Sequence, residues 1–166
     1  MATKQSLTAD RARELLDYDP ETGTLTWRVA KGWVRQGAVS GCSHPRGYLL
    51  IKVDGKRYLA HRLAWLIATG SWPIEHIDHI NGDTGDNRLA NLRDVSRSIN
   101  QQNRRIPGAN NSSGFLGVSW DSHRGYFVAR IFSQGKDLRL GCFTDPAEAH
   151  QAYLTAKRQH HAGNTL

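Results

Sequence analysis

Ile77-Asp78-His79-Ile80-Asn81-Gly82-Asp83-Thr84-Gly85-Asp86-Asn87-Arg88-Leu89-Ala90-Asn91-Leu92-Arg93 is the stretch whose reading decides this chain. Asp, Asn and Gly crowd its centre, as they do where a chain turns tightly on its own side-chain hydrogen bonds. Asp78 and His79 are neighbours, and neighbours on a strand point to opposite faces, so the pair can serve two tasks from one edge. Hydrolysis of a phosphodiester asks for a base to activate water and a Lewis acid to stabilise charge on phosphorus and leaving oxygen. Imidazole titrates near neutral pH, so His79 suits the base. Asp78 suits a hard cation, and Asn100, on the helix expected to follow, adds a second oxygen donor. Two oxygen donors with one charge between them fit Mg²⁺ or Mn²⁺, which keep waters and accept phosphate oxygens. Arg97 lies three residues before Asn100 on the same predicted helix face, where it could clamp a phosphate.

The surrounding composition agrees with such a partner. The chain has 166 residues, 22 Lys+Arg against 15 Asp+Glu, and a formal charge of +7. That excess points to a polyanion without identifying it. Residues 61–92 reverse the sign, with Arg62 and Arg88 against Glu75, Asp78, Asp83 and Asp86. A basic chain with one acidic island is what a cation-dependent enzyme acting on nucleic acid requires. The length suits one ordinary domain or two small ones, and excludes a large barrel or a doubly wound enzyme. No run approaches the ~18 apolar residues of a membrane span. The N-terminus lacks a hydrophobic signal core, so a cytoplasmic, non-secreted protein is expected. Cys42 and Cys142 stand far apart with no CxxC pair, so neither a disulfide framework nor a structural zinc site is expected.

Local patterns divide the chain. Leu7 to Asp17 reads as a short helix with Thr8 as N-cap. Asp19 to Gly23 is turn chemistry before a Leu25-Thr26-Trp27 strand. Residues 31–47 read as Gly-rich and irregular. Tyr48–Val53 and Lys56–Leu59 flank Asp54-Gly55 as a hairpin with a type I′ turn. His61–Thr69 is predicted helical, with Gly70 as its stop. Trp27, Trp33, Trp65 and Trp72 are expected to pack in the core rather than serve as stacking platforms. Ile106 to Gly114 has no periodic apolar residue and reads as a linker. Three strands are predicted at Phe115–Trp120, Tyr126–Phe132 and Lys136–Cys142. A helix follows from Thr144-Asp145-Pro146, with Thr144 as the expected N-cap. The expected organisation is residues 1–105 as a catalytic region with its core at about 73–105, 106–114 as linker, and 115–166 as a second domain.

The linked pattern of Asp78-His79-Ile80-Asn81-Gly82-Asp83, Asp86-Asn87-Arg88-Leu89-Ala90-Asn91-Leu92-Arg93 and Asn100 resembles the HNH (His-Me finger, ββα-metal) nucleases of phages, especially the homing-endonuclease-like branch. The upstream GYLLIKVDGKRYLAHRLAWLIATGSWP resembles the leader found in phage HNH proteins. The resemblance implies an α+β fold in which a ββα-metal finger follows an N-terminal hairpin and helix region. It also implies His79 as the residue that activates water, Asp78 and Asn100 as metal ligands, and Asn91 as the residue fixing the loop that orients His79. Asn100 stands where some HNH enzymes have His, which favours a Mg²⁺-type site. His61 reads as a packing or capping residue, and His76 as either a loop residue or an assistant to metal or phosphate.

The segment from Gly114 onward resembles the DNA-binding domain of plant ethylene-response factors. The resemblance rests on Gly117-Val118, Tyr126-Phe127-Val128-Ala129-Arg130-Ile131, Leu140-Gly141-Cys142-Phe143, Glu148-Ala149, Ala152-Tyr153 and Ala156. It implies a three-stranded antiparallel sheet packed on one helix, the sheet entering the major groove. Alternation assigns Phe127, Ala129 and Ile131 to the helix side and Tyr126, Val128 and Arg130 to the DNA side. Arg130 and Arg139 are the expected base or phosphate contacts, with Arg124 and Lys136 in turns near the backbone. Arg93, Arg97, Arg104 and Arg105 are the expected contacts nearer the finger. Ser119, Asp121, His123, Phe132 and Asp137 replace Arg and Trp of the plant pattern, so its target sequence does not transfer.

Two functions fit these readings. One is a metal-dependent endonuclease on double-stranded DNA, a homing-type or phage enzyme acting in the host cell as monomer or homodimer. The other is a non-catalytic, sequence-specific regulator that keeps an HNH scaffold. The intact Asp78, His79, Asn91 and Asn100 favour the enzyme.

Overall fold

A computed structural model describes residues 7–30, 32–45 and 47–165. The chain divides into two compact units, Met1–Ser96 and Arg97–Leu166. The fold is α+β, with four helices and several small antiparallel sheets among the described residues. No helix among them is long and apolar enough to cross a membrane.

The first unit opens with α1 (Ala9–Leu15), capped by the Thr8 side chain, which accepts from the Arg11 amide. The helix ends sooner than its sequence suggests, because Leu16 turns extended and begins β1 (Leu16–Tyr18), paired with β2 (Leu25–Trp27). Leu15 and Leu16 are both buried by the change of conformation between them. The irregular stretch that follows contains a short strand, β3 (Cys42–Ser43), which pairs with β4 (Leu49–Val53). β4 and β5 (Lys56–Leu59) form the expected hairpin. Asp54 and Gly55 both have positive φ, 45° and 82°, as a type I′ turn requires. Next comes α2 (Ala60–Thr69), stopped by Gly70 in the left-handed conformation. Its Leu63, Ala64 and Leu66 share one core with Ala12, Leu16, Ile51 and Val53. Trp27, Trp65 and Trp72 pack against that core, whereas Trp33 is fully exposed, contrary to the expectation for it.

The first unit closes with a two-stranded ribbon, β6 (His76–His79) and β7 (Leu92–Val95), joined by a loop ending in a 3₁₀ turn at Leu89–Asn91. Ile77 and Leu92 anchor the ribbon in the same core as α2.

The second unit begins with the six-residue α3 (Arg97–Gln102). Its sheet is β8 (Val118–Asp121), β9 (Tyr126–Ser133) and β10 (Lys136–Phe143), antiparallel with β9 in the middle. α4 (Pro146–His160) packs on one face. Ala129 and Ile131 face it with Ala149, Tyr153 and Ala156, and Phe127 packs against the same cluster, as the alternation predicts. The N-cap of α4 is Asp145 rather than Thr144. The Asp145 carboxylate accepts from the Ala147 amide, and Pro146 takes the first helical position, where no amide hydrogen is needed. Within residues 106–114, Asn111 and Ser113 donate to the carbonyls of Phe115 and Val118, tying this stretch to the start of β8.

Candidate active site

The antiparallel register of β6 and β7 sets Asp78 opposite Arg93 and His79 opposite Leu92. Residues opposite each other across a ribbon share a face, so Arg93 reaches Asp78 directly. Arg93 donates from Nε and Nη2 to Asp78 Oδ2 at 3.0 and 2.7 Å. The Asp78 side chain is almost fully buried and that of Arg93 about three-quarters so. Sequence alone placed Arg93 on a phosphate; in the structure its guanidinium is on a carboxylate.

His79 points to the other face and is 4% exposed. Its Nε2 lies 3.4 Å from Asn87 Oδ1. The amide of Asn87 is oriented by its own Nδ2, which donates to the Gly85 carbonyl, so its oxygen is the atom turned to the imidazole. An amide oxygen only accepts, so a hydrogen bond between them takes the tautomer with its proton on Nε2, in which Nδ1 is the basic nitrogen. Burial pushes the His79 pKa below its ordinary value, only partly opposed by Asn87 and by the Asp78, Asp83 and Asp86 carboxylates. The ring is therefore neutral at neutral pH. Asn87 itself is 2% exposed, a buried polar side chain that the sequence reading left without a role.

The loop between the strands is held by Asn91. Its Oδ1 accepts from the Asn81 amide at 2.9 Å, and its Nδ2 donates to the Asp86 carbonyl at 2.8 Å. Asn81 Nδ2 donates to Asp86 Oδ2, and Arg88 holds the same carboxylate from Nε and Nη2. Those hydrogen bonds hold the Asp86 carboxyl down to about 2. The loop is also buttressed from the N-terminus: Tyr18 donates to the Asn87 carbonyl and the Leu89 amide donates to the Pro20 carbonyl. At Gly23, φ is +74° and a Cβ would stand 2.5 Å from backbone atoms of Asn87 and Arg88. Only glycine allows that approach. Residues 16–27 thus support the loop between β6 and β7.

Two further rings close the pocket around His79. His61, second residue of α2, meets it edge to face with centroids 5.0 Å apart, and Tyr48 lies 5.3 Å from His61 and 6.2 Å from His79. Burial, and the neighbouring His79 and Arg62, push His61 down to about 3. His76, by contrast, is exposed at the start of β6.

Asp78 is a hard oxygen donor of the kind Mg²⁺-class ions take. Among the described residues no three His, Cys, Asp or Glu side chains converge. A cation on Asp78 would therefore complete its shell with amide oxygen, water and substrate, which is ordinary for that class. Asn100 is partly buried in α3, Arg97 is exposed at its first residue, and Arg104 and Arg105 follow it, all in the second unit.

On the face of the C-terminal sheet away from α4, Arg124 and Arg139 converge on the Tyr126 hydroxyl at 3.1 and 3.0 Å. Arg139 also meets the Cys142 thiol. Arg130 pairs with Asp137 at 3.0 Å, both side chains half exposed, and Lys136 is exposed. Val128, assigned to this face for contact, is only 3% exposed. Its strand neighbour Tyr126 and its register partner Cys142 are both engaged by Arg139, which leaves no room for an outside partner on the valine.

Residues 58–102 match the family described as HNH endonuclease, from β5 through the ribbon to the last residue of α3. The chain is 34% identical over 77 residues to Protein 3.8 of Escherichia phage T7, an alignment covering 46% of this chain and 63% of that protein. The chain thus spans less than two thirds of the phage protein's length. No solved structure matches the chain.

Proposed function

We propose that this protein is a metal-dependent DNA endonuclease in which His79 is the general base. The observation that carries the reading is a buried His79 whose Nε2 is turned to Asn87 Oδ1, beside Asp78 on the same strand within the residues that match the HNH family. In this reading Nδ1 takes a proton from water as the water attacks phosphorus. The bond from phosphorus to the 3′ oxygen breaks and that oxygen takes a proton from solvent, giving 5′-phosphate and 3′-hydroxyl ends. Asp78 is the residue of the ribbon that would hold Mg²⁺ or Mn²⁺, with Asn100 as the second ligand that the HNH resemblance implies, and the ion when bound supplies Lewis-acid stabilisation of charge on the phosphate and leaving oxygen. Asn91 keeps the loop, and through Asn87 the ring, in place. Arg97, Arg104 and Arg105 would meet phosphates near the scissile bond.

The C-terminal sheet is the DNA-recognition surface in this proposal, of the ethylene-response-factor type, with Arg124, Arg130, Lys136 and Arg139 as its contacts. One active site cuts one strand per engagement. A monomer nicks, and a double-strand break takes a dimer or a second visit. A homing-type or phage nuclease fits this design.

Arg93 on Asp78 favours a second reading, a non-catalytic DNA-binding regulator, because a guanidinium holds one oxygen, Oδ2, of the carboxylate a metal would need. Plasmid cleavage by wild type and His79→Ala, with Mg²⁺, Mn²⁺ or EDTA, separates the two. The nuclease yields relaxed or linear plasmid that is lost with EDTA and with the substitution. A regulator only retards the plasmid, and equal cleavage by both proteins would remove His79 from the mechanism.

A further inference from the structure

Helix α3 is too short to hold itself. Isolated helices below ~12 residues are marginal in water, and α3 has six with none buried. What holds it lies at the far end of the sequence. Lys157 of α4 is 1% exposed, among the most fully buried side chains of the protein, and its Nζ donates to the Arg104 carbonyl at 2.6 Å. An ammonium is buried at such cost only where its hydrogen bonds are strong, and this one ends on the turn that leaves α3.

The tail after α4 adds further ties. The Gly163 amide donates to Gln102 Oε1 at 3.0 Å. A Cβ on Gly163 would stand 2.4 Å from the Ile99 carbonyl oxygen, so tail backbone lies directly on helix backbone. Thr165 Oγ1 bonds Asn103 Oδ1 at 2.6 Å, and Arg105 Nη2 donates to the same hydroxyl at 2.7 Å. Asn103 is itself 5% exposed. The tail and the last residue of α4 are fixed in turn to the sheet, through His161 Nε2 donating to the Phe132 carbonyl and Ser133 Oγ to the His160 carbonyl.

We infer that α4 and the tail at 161–165 are the positioning scaffold of α3, and that Lys157 and Thr165 are positioning residues for Asn100. The inference rests on the nuclease reading for the role of Asn100, though not for the clamp itself. It gives the C-terminal unit a second task besides recognising DNA. The HNH match ends at Gln102, but the helix at its end is folded by residues some sixty positions later.

The test uses the full chain with Lys157→Met, which keeps the stem and removes the ammonium, Thr165→Val, and Thr165→Ser as the conservative control. Amide hydrogen exchange at residues 99–105 is compared with exchange in β8–β10, alongside the ion concentration giving half-maximal plasmid cleavage. Both disruptive variants should speed exchange at 99–105 about five- to tenfold, the loss expected for one buried hydrogen bond, while the sheet is unchanged. The half-maximal Mg²⁺ or Mn²⁺ concentration should rise with it, and Thr165→Ser should behave as wild type. Unchanged exchange at 99–105, or equal acceleration throughout the sheet, overturns the clamp. If Lys157→Met does not fold, Thr165→Val decides alone. If exchange responds as expected but wild type cuts no DNA with either ion, the clamp stands and the nuclease reading falls.

Discussion

The imidazoles of His61 and His79 meet at 87°, centroids 5.0 Å apart, although the rest of α2 and the turn into β6 separate them in sequence. Both rings are buried, so only neutral forms are comfortable there. Two buried imidazoles in contact divide the labour: His79 has the amide oxygen of Asn87 to set its tautomer, and His61 walls it in.

His61→Phe keeps a flat ring at that wall and should retain most cleavage activity. His61→Ala opens a void beside His79, with about 2 kcal/mol lost from stability and a fall in kcat larger than any change in KM. Urea unfolding and steady-state cleavage measure the two effects. An inactive His61→Phe of normal stability would mean that the imidazole itself, not its bulk, is used.

Stability should fall on acidification. The folded-state pKa of His61 is pushed down to about 3, below the 6.5 ordinary for the residue. Protons therefore bind the unfolded chain preferentially between those values, and stability present above pH 6.5 is lost progressively below it, by about 1 kcal/mol per pH unit. Urea midpoints at pH 7 and pH 5 check the slope, which His61→Phe should flatten.

Arg93→Met should cost about 3 kcal/mol, because it leaves the buried Asp78 carboxylate without its guanidinium. The same change removes the metal's competitor. Added Mg²⁺ or Mn²⁺ should then raise the melting temperature of Arg93→Met more than that of wild type. Equal responses would argue against Asp78 as a ligand.

Gly23→Ala tests the support given by the N-terminal hairpin. The new Cβ collides with backbone at Asn87 and Arg88 in a conformation alanine rarely adopts, so exchange should accelerate in residues 85–89 first. Cleavage should fall through Asn87 while DNA retention is kept.

Arg139→Ala and Arg124→Ala address the C-terminal sheet. Each should weaken plasmid retention and reduce the slope of log affinity against log salt by about 1 for each phosphate the protein no longer neutralises. Retention indifferent to both would place the recognition surface elsewhere.

Residue types and their short-range spacing were enough for much of this protein. Asp54-Gly55 specified a turn, Gly70 a helix stop, Thr8 a cap, and the alternation through Phe127, Ala129 and Ile131 the buried face of a sheet, because each acts on backbone within a few residues of itself. The placement of Asp78, His79 and Asn91 close together could be read for the same reason: they sit on one ribbon and its loop. Tertiary structure decided the rest. Arg93 lies on Asp78 because of a cross-strand register, His61 lies against His79 because α2 packs over the ribbon's core, and Lys157 is buried because the chain's end folds back on α3. Local patterns state which face of an element is apolar. They do not state which distant polar side chain that face will meet, since that depends on how whole elements close-pack.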